Sequence, residues 1–292
     1  MVRPCFARID PRLSPVVESI CVSESDPGAM GSIVLPVVSP ILCFHWCQAP
    51  LLGLCDPTPE AQVAWSDPGR LRITGVQTRA ARLRPHGAVG VVMVRLRPES
   101  AHRIAGIAMR ELFGSSAALS DLFPSSAVSQ LDEMLLEAAD PMQRIATVQS
   151  FLLSRLSERD DDALVGYAVG LLRAQPNLSI RDLAKRLEVS ERHLSRVFRG
   201  AMGASPKQFA CVARLAKVIA AARRATMPWA EIALECGYAD QSHMVHEFHA
   251  MVGVSPATLF GTTSLRSRRI PTETPSESDF YNTFLSELLT LA

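Results

Sequence analysis

Arg192, Arg196 and Arg199 fall on one side of a helix drawn through SERHLSRVFRG, with Ser195 among them and His193 beside them. The other side carries Leu194, Val197, Phe198 and Ala201 at three- and four-residue spacing, and burial of that apolar stripe forces the arginines outward. Three guanidiniums on one short face repel one another unless anions neutralise them. In a DNA major groove they can pair with phosphates or grip guanine O6 and N7 in bidentate fashion. A second segment, DQSHMVHEFHAMV, repeats the layout with different side chains. Met244, Phe248 and either Met251 or Val252 form its inner stripe. Ser242, Val245, His246 and His249 form its outer face, with Gln241 and His243 at the leading edge. Gln241 or Ser242 can hydrogen-bond base edges, and Val245 can meet a thymine methyl. His243, His246 and His249 are also spaced to share a metal, but no carboxylate or thiol is placed to complete a site, so no metal is expected.

Each face needs a preceding helix and a tight turn to present it. Ser179 opens a Ser-x-x-Asp start to a helix over 180–187 that buries Ile180, Leu183, Ala184 and Leu187. Ala184 is small enough for the next helix to cross closely. Glu188-Val189 makes the turn, and Ser190 caps the arginine helix. In the second unit Trp229, Ile232, Ala233 and Cys236 pack inward, Gly237 supplies a turn with positive φ, and Asp240 is the cap. Two helix-turn-helix units, 179–200 and 229–250, are thus predicted. Between them SPKQFACVARLAKVIAAARRA has no Gly or Pro after Pro206. About twenty helical residues span about 30 Å, close to the roughly 34 Å between successive major grooves on one duplex face. Charge is uneven in the same sense. Residues 163–263 hold 12 Lys and Arg against 7 Asp and Glu, whereas the remainder holds 18 against 22, so a net charge of only +1 conceals a basic segment.

The rest of the 292 residues is long enough for a further domain, and 48% hydrophobic content marks a globular chain. Residues 1–72 are Pro- and Gly-punctuated with short apolar runs, predicting irregular structure of strands and loops. GVVMVRLRPES reads as a buried strand. SSAVSQLDEMLLEA and PMQRIATVQSFLLSRL read as amphipathic helices, the latter with a stripe of Ile145, Val148, Phe151, Leu152 and Leu156. A second domain over 73–158, for sensing or dimerisation, ends at the charged break around 158–162. A mobile Ser/Thr/Pro-rich tail with a short terminal helix is expected over 264–292. The fold class expected is α+β, a mixed strand and helix amino-terminal part followed by an all-α tandem helix-turn-helix domain. MVRPCFARIDPRLSP has Pro and Asp where a secretory signal needs apolar residues, and no run approaches the roughly 18 needed to cross a bilayer. Seven irregularly spaced cysteines make no disulfide framework, so a soluble cytoplasmic protein is expected.

The strings SERHLSRVFRGAMGASPKQF, ARLAKVIAAA, IALECGYADQSHMVHEF and GVSPATLF resemble, in order and spacing, the AraC/XylS family of bacterial transcriptional regulators. The likeness covers about residues 162–263. It implies a seven-helix, homeodomain-like DNA-binding domain that places the base-contacting positions on Arg192, Ser195, Arg196, Arg199, Ser242, His243, Val245, His246 and His249. It also implies promoter DNA and RNA polymerase as partners, a small-molecule effector, and a role as activator or repressor. Two unequal reading units cover one site as a monomer, so a homodimer is optional. The sequence departs from the family at several places. Glu188 stands where the family usually has glycine, Met244 replaces Phe, His246 replaces Arg, His249 replaces Lys or Arg, and Leu259-Phe260 replaces Tyr-Arg. Loss of fixed charge from the second reading helix implies a weaker, more pH-sensitive grip there. The stretch from about Ile73 to Leu156 resembles the amino-terminal domain of some actinobacterial members, on VVMVRLRPESAHRIAG, LSDLF and PMQRIATVQSFLLSRL. The first 70 residues depart most from that pattern, which a translation start downstream of Met1 would explain.

An alternative chemistry rests on Cys43-x3-Cys47 with His45, Trp46 and Cys55 nearby. A zinc-thiolate cysteine that accepts methyl groups from damaged DNA needs four close thiolates, and a second close pair is missing here. A thiol redox sensor using the same cysteines is a third reading. With no P-loop, dinucleotide fingerprint or Ser/His/Asp order, neither a cofactor nor a metabolic enzyme is expected.

Overall fold

Val89–Leu96 is almost wholly apolar because both of its faces are covered. In the computed structural model, which describes residues 5–25, 32–54, 64–158, 161–224 and 227–260, this segment is strand β8, buried along its whole length. It lies third in a six-stranded antiparallel sheet of order β1 (Cys5–Phe6), β2 (Val17–Ser25), β8, β4 (Ile41–His45), β6 (Leu71–Thr74) and β9 (Ser116–Ala118). A smaller antiparallel sheet holds β3 (Ser32–Val34), β7 (Ala81–Arg84) and β5 (Leu51–Leu54).

Successive residues of a strand face opposite ways, and β8 serves two cores accordingly. Val92, Val94 and Leu96 join Ile20, Leu42, Phe44 and Ile73 beneath α1 (His102–Ala105), α2 (Ser125–Glu137) and α3 (Pro141–Arg155), which contribute Ile104, Leu131, Ile145 and Val148. Val91 and Met93 face the other side with Cys21, Cys43, Leu35 and Val38, in a core continuous with the carboxy-terminal helices. That face is partly polar. Cys21 and Cys43 both lie opposite Met93, Arg72 lies opposite Cys43, and Ser19 lies opposite Arg95.

The amino-terminal 72 residues, expected to be irregular, supply five strands. Residue 72 itself lies inside β6, so one sheet is built from both sides of the boundary expected there. The pairing is non-local, with Val17 opposite Leu96. β2, VESICVSES, shows weak hydrophobic alternation because buried Ser19 and Ser23 occupy its inner face. The helices follow their periodicity. Asp140 caps α3 by accepting the Gln143 N–H at 2.9 Å, and Ile145, Val148, Phe151 and Leu152 are buried, with Leu156 just past the helix end.

The carboxy-terminal part comprises α4 (Ala163–Ala174), α5 (Ile180–Arg186), α6 (Glu191–Met202), α7 (Pro206–Arg224), α8 (Trp229–Glu235), α9 (Gln241–Val252) and α10 (Pro256–Phe260). The whole is α+β, a β-rich amino-terminal region followed by a helical domain. Among the described residues no helix is long and apolar enough to cross a membrane. The tail expected over 264–292 and Cys55 lie outside the described residues.

Candidate nucleic-acid interface

Local capping fixes where the first reading helix starts. Ser179 accepts the Asp182 N–H at 3.0 Å and donates its hydroxyl to the Asp182 carboxylate at 2.6 Å. Ser190 accepts the His193 N–H at 3.2 Å, which sets the first turn of α6. Leu194, Phe198 and Met202 are buried, while Val197 and Ala201, expected on the same stripe, are half-buried. Phe198 meets Phe209 of α7 edge-on, ring centroids 5.5 Å apart. With that face anchored, Arg192, His193, Arg196 and Arg199 are exposed and Ser195 is half-buried among them. Among the described residues no carboxylate pairs with these three guanidiniums; Arg196 lies 3.4 Å from His193 Nδ1.

The second unit presents its face in the same way. Asp240 accepts the His243 N–H at 2.7 Å, and Met244, Phe248, Met251 and Val252 are all buried, so both candidates for the last inner position serve. Gln241, Ser242, His243, His246 and His249 are exposed, and Val245 is half-buried. The helix carries one acidic residue, Glu247, which would repel phosphate if it faced outward. It is instead held by Arg214 of α7 at 2.6 and 3.1 Å and accepts the Tyr238 hydroxyl at 2.8 Å. Burial would raise the Glu247 carboxyl, but the bonds from Arg214 and Tyr238 outweigh it and hold the group below the usual carboxylate range. The same bonds fasten α9 to the linker helix. That helix, α7, has 19 residues, or about 28 Å of rise.

Equivalent turns in the two units use different residues. Gly237 has φ +82°, and a Cβ there would lie 2.9 Å from the Asn177 Cβ. Glu188 also adopts a positive φ, 55°, although it has a side chain. Left-handed backbone costs a non-glycine residue about 1–2 kcal/mol. Glu188→Gly is therefore expected to raise stability by about 0.5–1 kcal/mol after the extra unfolded-state entropy of glycine is subtracted. Gly237→Ala is expected to lower it by more than about 1 kcal/mol. Urea midpoints check both, and shifts of the same sign would contradict the backbone argument.

The two halves of the molecule are joined near these helices. Glu18 of β2 pairs with Arg95 of β8 at 3.0 Å and with Arg173 of α4 at 3.1 Å. Arg173 also donates to Ser39 at 2.9 Å. The Ala80 N–H donates to the Met251 carbonyl at the end of α9, 2.8 Å away. At the end of α6, Gly203 packs so closely on the turn Met109–Leu112 that a Cβ would lie 2.9 Å from the Met109 carbonyl oxygen. Sequence reasoning missed these contacts, since each joins residues distant in sequence.

Thiolate chemistry finds no support. Strand alternation buries Cys43 in the sheet, and Cys47 lies beyond the end of β4. Burial pushes both thiols up, the reverse of what a nucleophilic thiolate needs. Among the described residues no three His, Cys, Asp or Glu side chains are grouped to hold a metal, which covers the histidines of α9.

A family model described as a helix-turn-helix domain matches residues 183–261, from α5 through α10. The chain is similar to the HTH-type transcriptional regulator CdhR of Pseudomonas aeruginosa, 22% identical over 148 residues, or 46% of this chain and 44% of CdhR. It thus spans less than half of that relative. Among solved structures it is similar to ToxT from Vibrio cholerae, with 12% identity, 82% of this chain and 96% of that one covered, and a TM-score of 0.46. It is also similar to a Chromobacterium violaceum transcriptional regulator of AraC-type DNA-binding domain-containing proteins. That match has 24% identity, covers 37% of this chain and 94% of that one, and has a TM-score of 0.32.

Proposed function

We propose that the whole chain is a transcription factor of AraC type that reads promoter DNA with α6 and α9 in adjacent major grooves, a reading supported by the helix-turn-helix model matched over residues 183–261. One observation carries this reading. Arg192, Arg196 and Arg199 stand exposed and, among the described residues, without counter-charges on one face of α6, opposite the buried Leu194, Phe198 and Met202. Bases and phosphates supply the acceptors those guanidiniums lack. On α9, Gln241, Ser242, His243, Val245, His246 and His249 form the matching comb, and α7 sets the spacing.

The protein acts by binding, in the cytoplasm, and works through RNA polymerase. Its amino-terminal region senses a small polar effector or mediates dimerisation. Support for sensing comes from the partly polar sheet interior. His45 is fully buried with neither ring nitrogen hydrogen-bonded within the described residues, and Arg72 is 4% exposed beside it. Unsatisfied buried polar groups are costly in a purely structural core.

The test is selection of the full chain on randomised duplexes, followed by titration of the winning sequence at several salt concentrations. A defined sequence with two half-sites about one helical turn apart is expected, with affinity falling steeply as salt rises. Failure to enrich any sequence, or binding indifferent to salt, overturns the reading.

A further inference from the structure

We propose that Arg110, contributed by the amino-terminal region, is a fourth arginine of the DNA interface and contacts a backbone phosphate beside α6. The inference rests on the DNA-reading role just proposed. A cleft of about 450 Å³ is lined by Arg110, Arg192, Ser195, Arg196, Arg199 and Gly200. Five of these residues belong to α6. The sixth arrives from the short 3-10 turn Met109–Leu112, some eighty residues earlier in the chain.

Packing holds that turn in place. Met109 and Leu112 are buried at 1% and 3% exposure, while Arg110 between them is exposed. The backbone of the turn is pressed against the end of α6, where a Cβ on Gly203 would lie 2.9 Å from the Met109 oxygen and 3.0 Å from the Arg110 Cα. A glycine there admits the turn to this distance, and a larger residue would hold it off.

Charge points to the occupant. Among the described residues none of the four guanidiniums in the cleft has a carboxylate partner. Four like charges around one opening need an anion, and a rank of phosphates is the polyanion that an adjacent reading helix would bring. Position separates phosphate from base. The backbone of the turn packs on Gly203, the residue that caps the carboxy-terminal end of α6, whereas a recognition helix meets base edges with its amino-terminal residues. Arg110 therefore adds affinity without sequence preference.

Arg110→Ala, Arg110→Lys and Arg110→Glu, made in the full chain and checked by thermal melting, are titrated against the selected duplex and a scrambled one across a salt series. For Arg110→Ala the slope of log affinity on log salt is expected to fall by about 0.9. Both duplexes should weaken alike, by about tenfold at moderate salt. Arg110→Lys is expected to keep the slope, and Arg110→Glu to weaken binding beyond the alanine variant. An unchanged slope overturns the proposal. So does tighter binding by Arg110→Ala, which would place the turn between α6 and DNA as an obstruction, or a loss confined to one base pair. A wild-type chain that binds no duplex would instead remove the DNA-reading role itself, and this proposal with it.

Discussion

Replacing Glu18 with alanine is expected to destabilise the full chain by about 3–5 kcal/mol, read from the urea midpoint. The carboxylate faces two cations, Arg95 and Arg173. Arg95 is 3% exposed, and among the described residues its Nη1 has no hydrogen-bond partner. The Arg95 Nε is 3.0 Å from Glu18 but not aligned as a hydrogen bond, so charge rather than hydrogen-bond geometry holds that pair. Alanine at 18 would strand a buried cation, the situation in which breaking a pair costs more than the pair contributes. Arg173→Ala should cost less, about 1–2 kcal/mol, because its side chain is 24% exposed and water can partly replace it for Glu18. Acid gives an independent reading. Burial would raise the Glu18 carboxyl, but the charges of Arg95 and Arg173 and the Ser39 hydroxyl hold it below its ordinary value of 4.5. Its contribution is complete above that value and is lost as pH falls through the lower, folded one. As pH falls below 4.5, wild type should lose stability faster than Glu18→Gln, which has no proton to take up. A loss under about 1 kcal/mol for Glu18→Ala, or parallel acid profiles, would show that the network does not latch α4 to the sheet.

How much of this was legible in the sequence depends on the range of the interaction. The caps at Ser179, Ser190 and Asp240 act over three residues, and all three are found in place. The buried stripes of α6 and α9 follow helical periodicity, so the outward combs follow as well. The sheet was harder, because its strands are short and pair across the chain. Cys43 and Cys47 looked like a cluster by spacing, yet a strand carries one of them into the core and ends before the other. Glu188 was visible as a departure from glycine, but its positive φ was not. Arg110 carried no signal at all. The second arginine of HRIAGIAMRELFG becomes interesting only once folding brings it beside α6.

Arg196→Ala is expected to weaken binding of the selected duplex by roughly a hundredfold, below detection in a gel shift, while His246→Ala weakens it by about fivefold or less. The two residues hold comparable exposed positions on α6 and α9, so the contrast tests chemistry rather than access. A guanidinium offers a permanent charge and a planar fork that spans guanine O6 and N7. An imidazole offers at most one donor to each side and no fixed charge. Their surroundings widen the gap. Arg196 shares its cleft with Arg110, Arg192 and Arg199, whereas α9 has no Lys or Arg and its one acid is neutralised by Arg214. The first unit should therefore set affinity, and the second should add discrimination among bases. Scrambling the half-site under α9 should accordingly cost less than scrambling the one under α6. Equal losses for the two variants, measured side by side on one duplex, would mean that the histidine face grips as firmly as the arginine face, and the ranking of the two units would have to be given up.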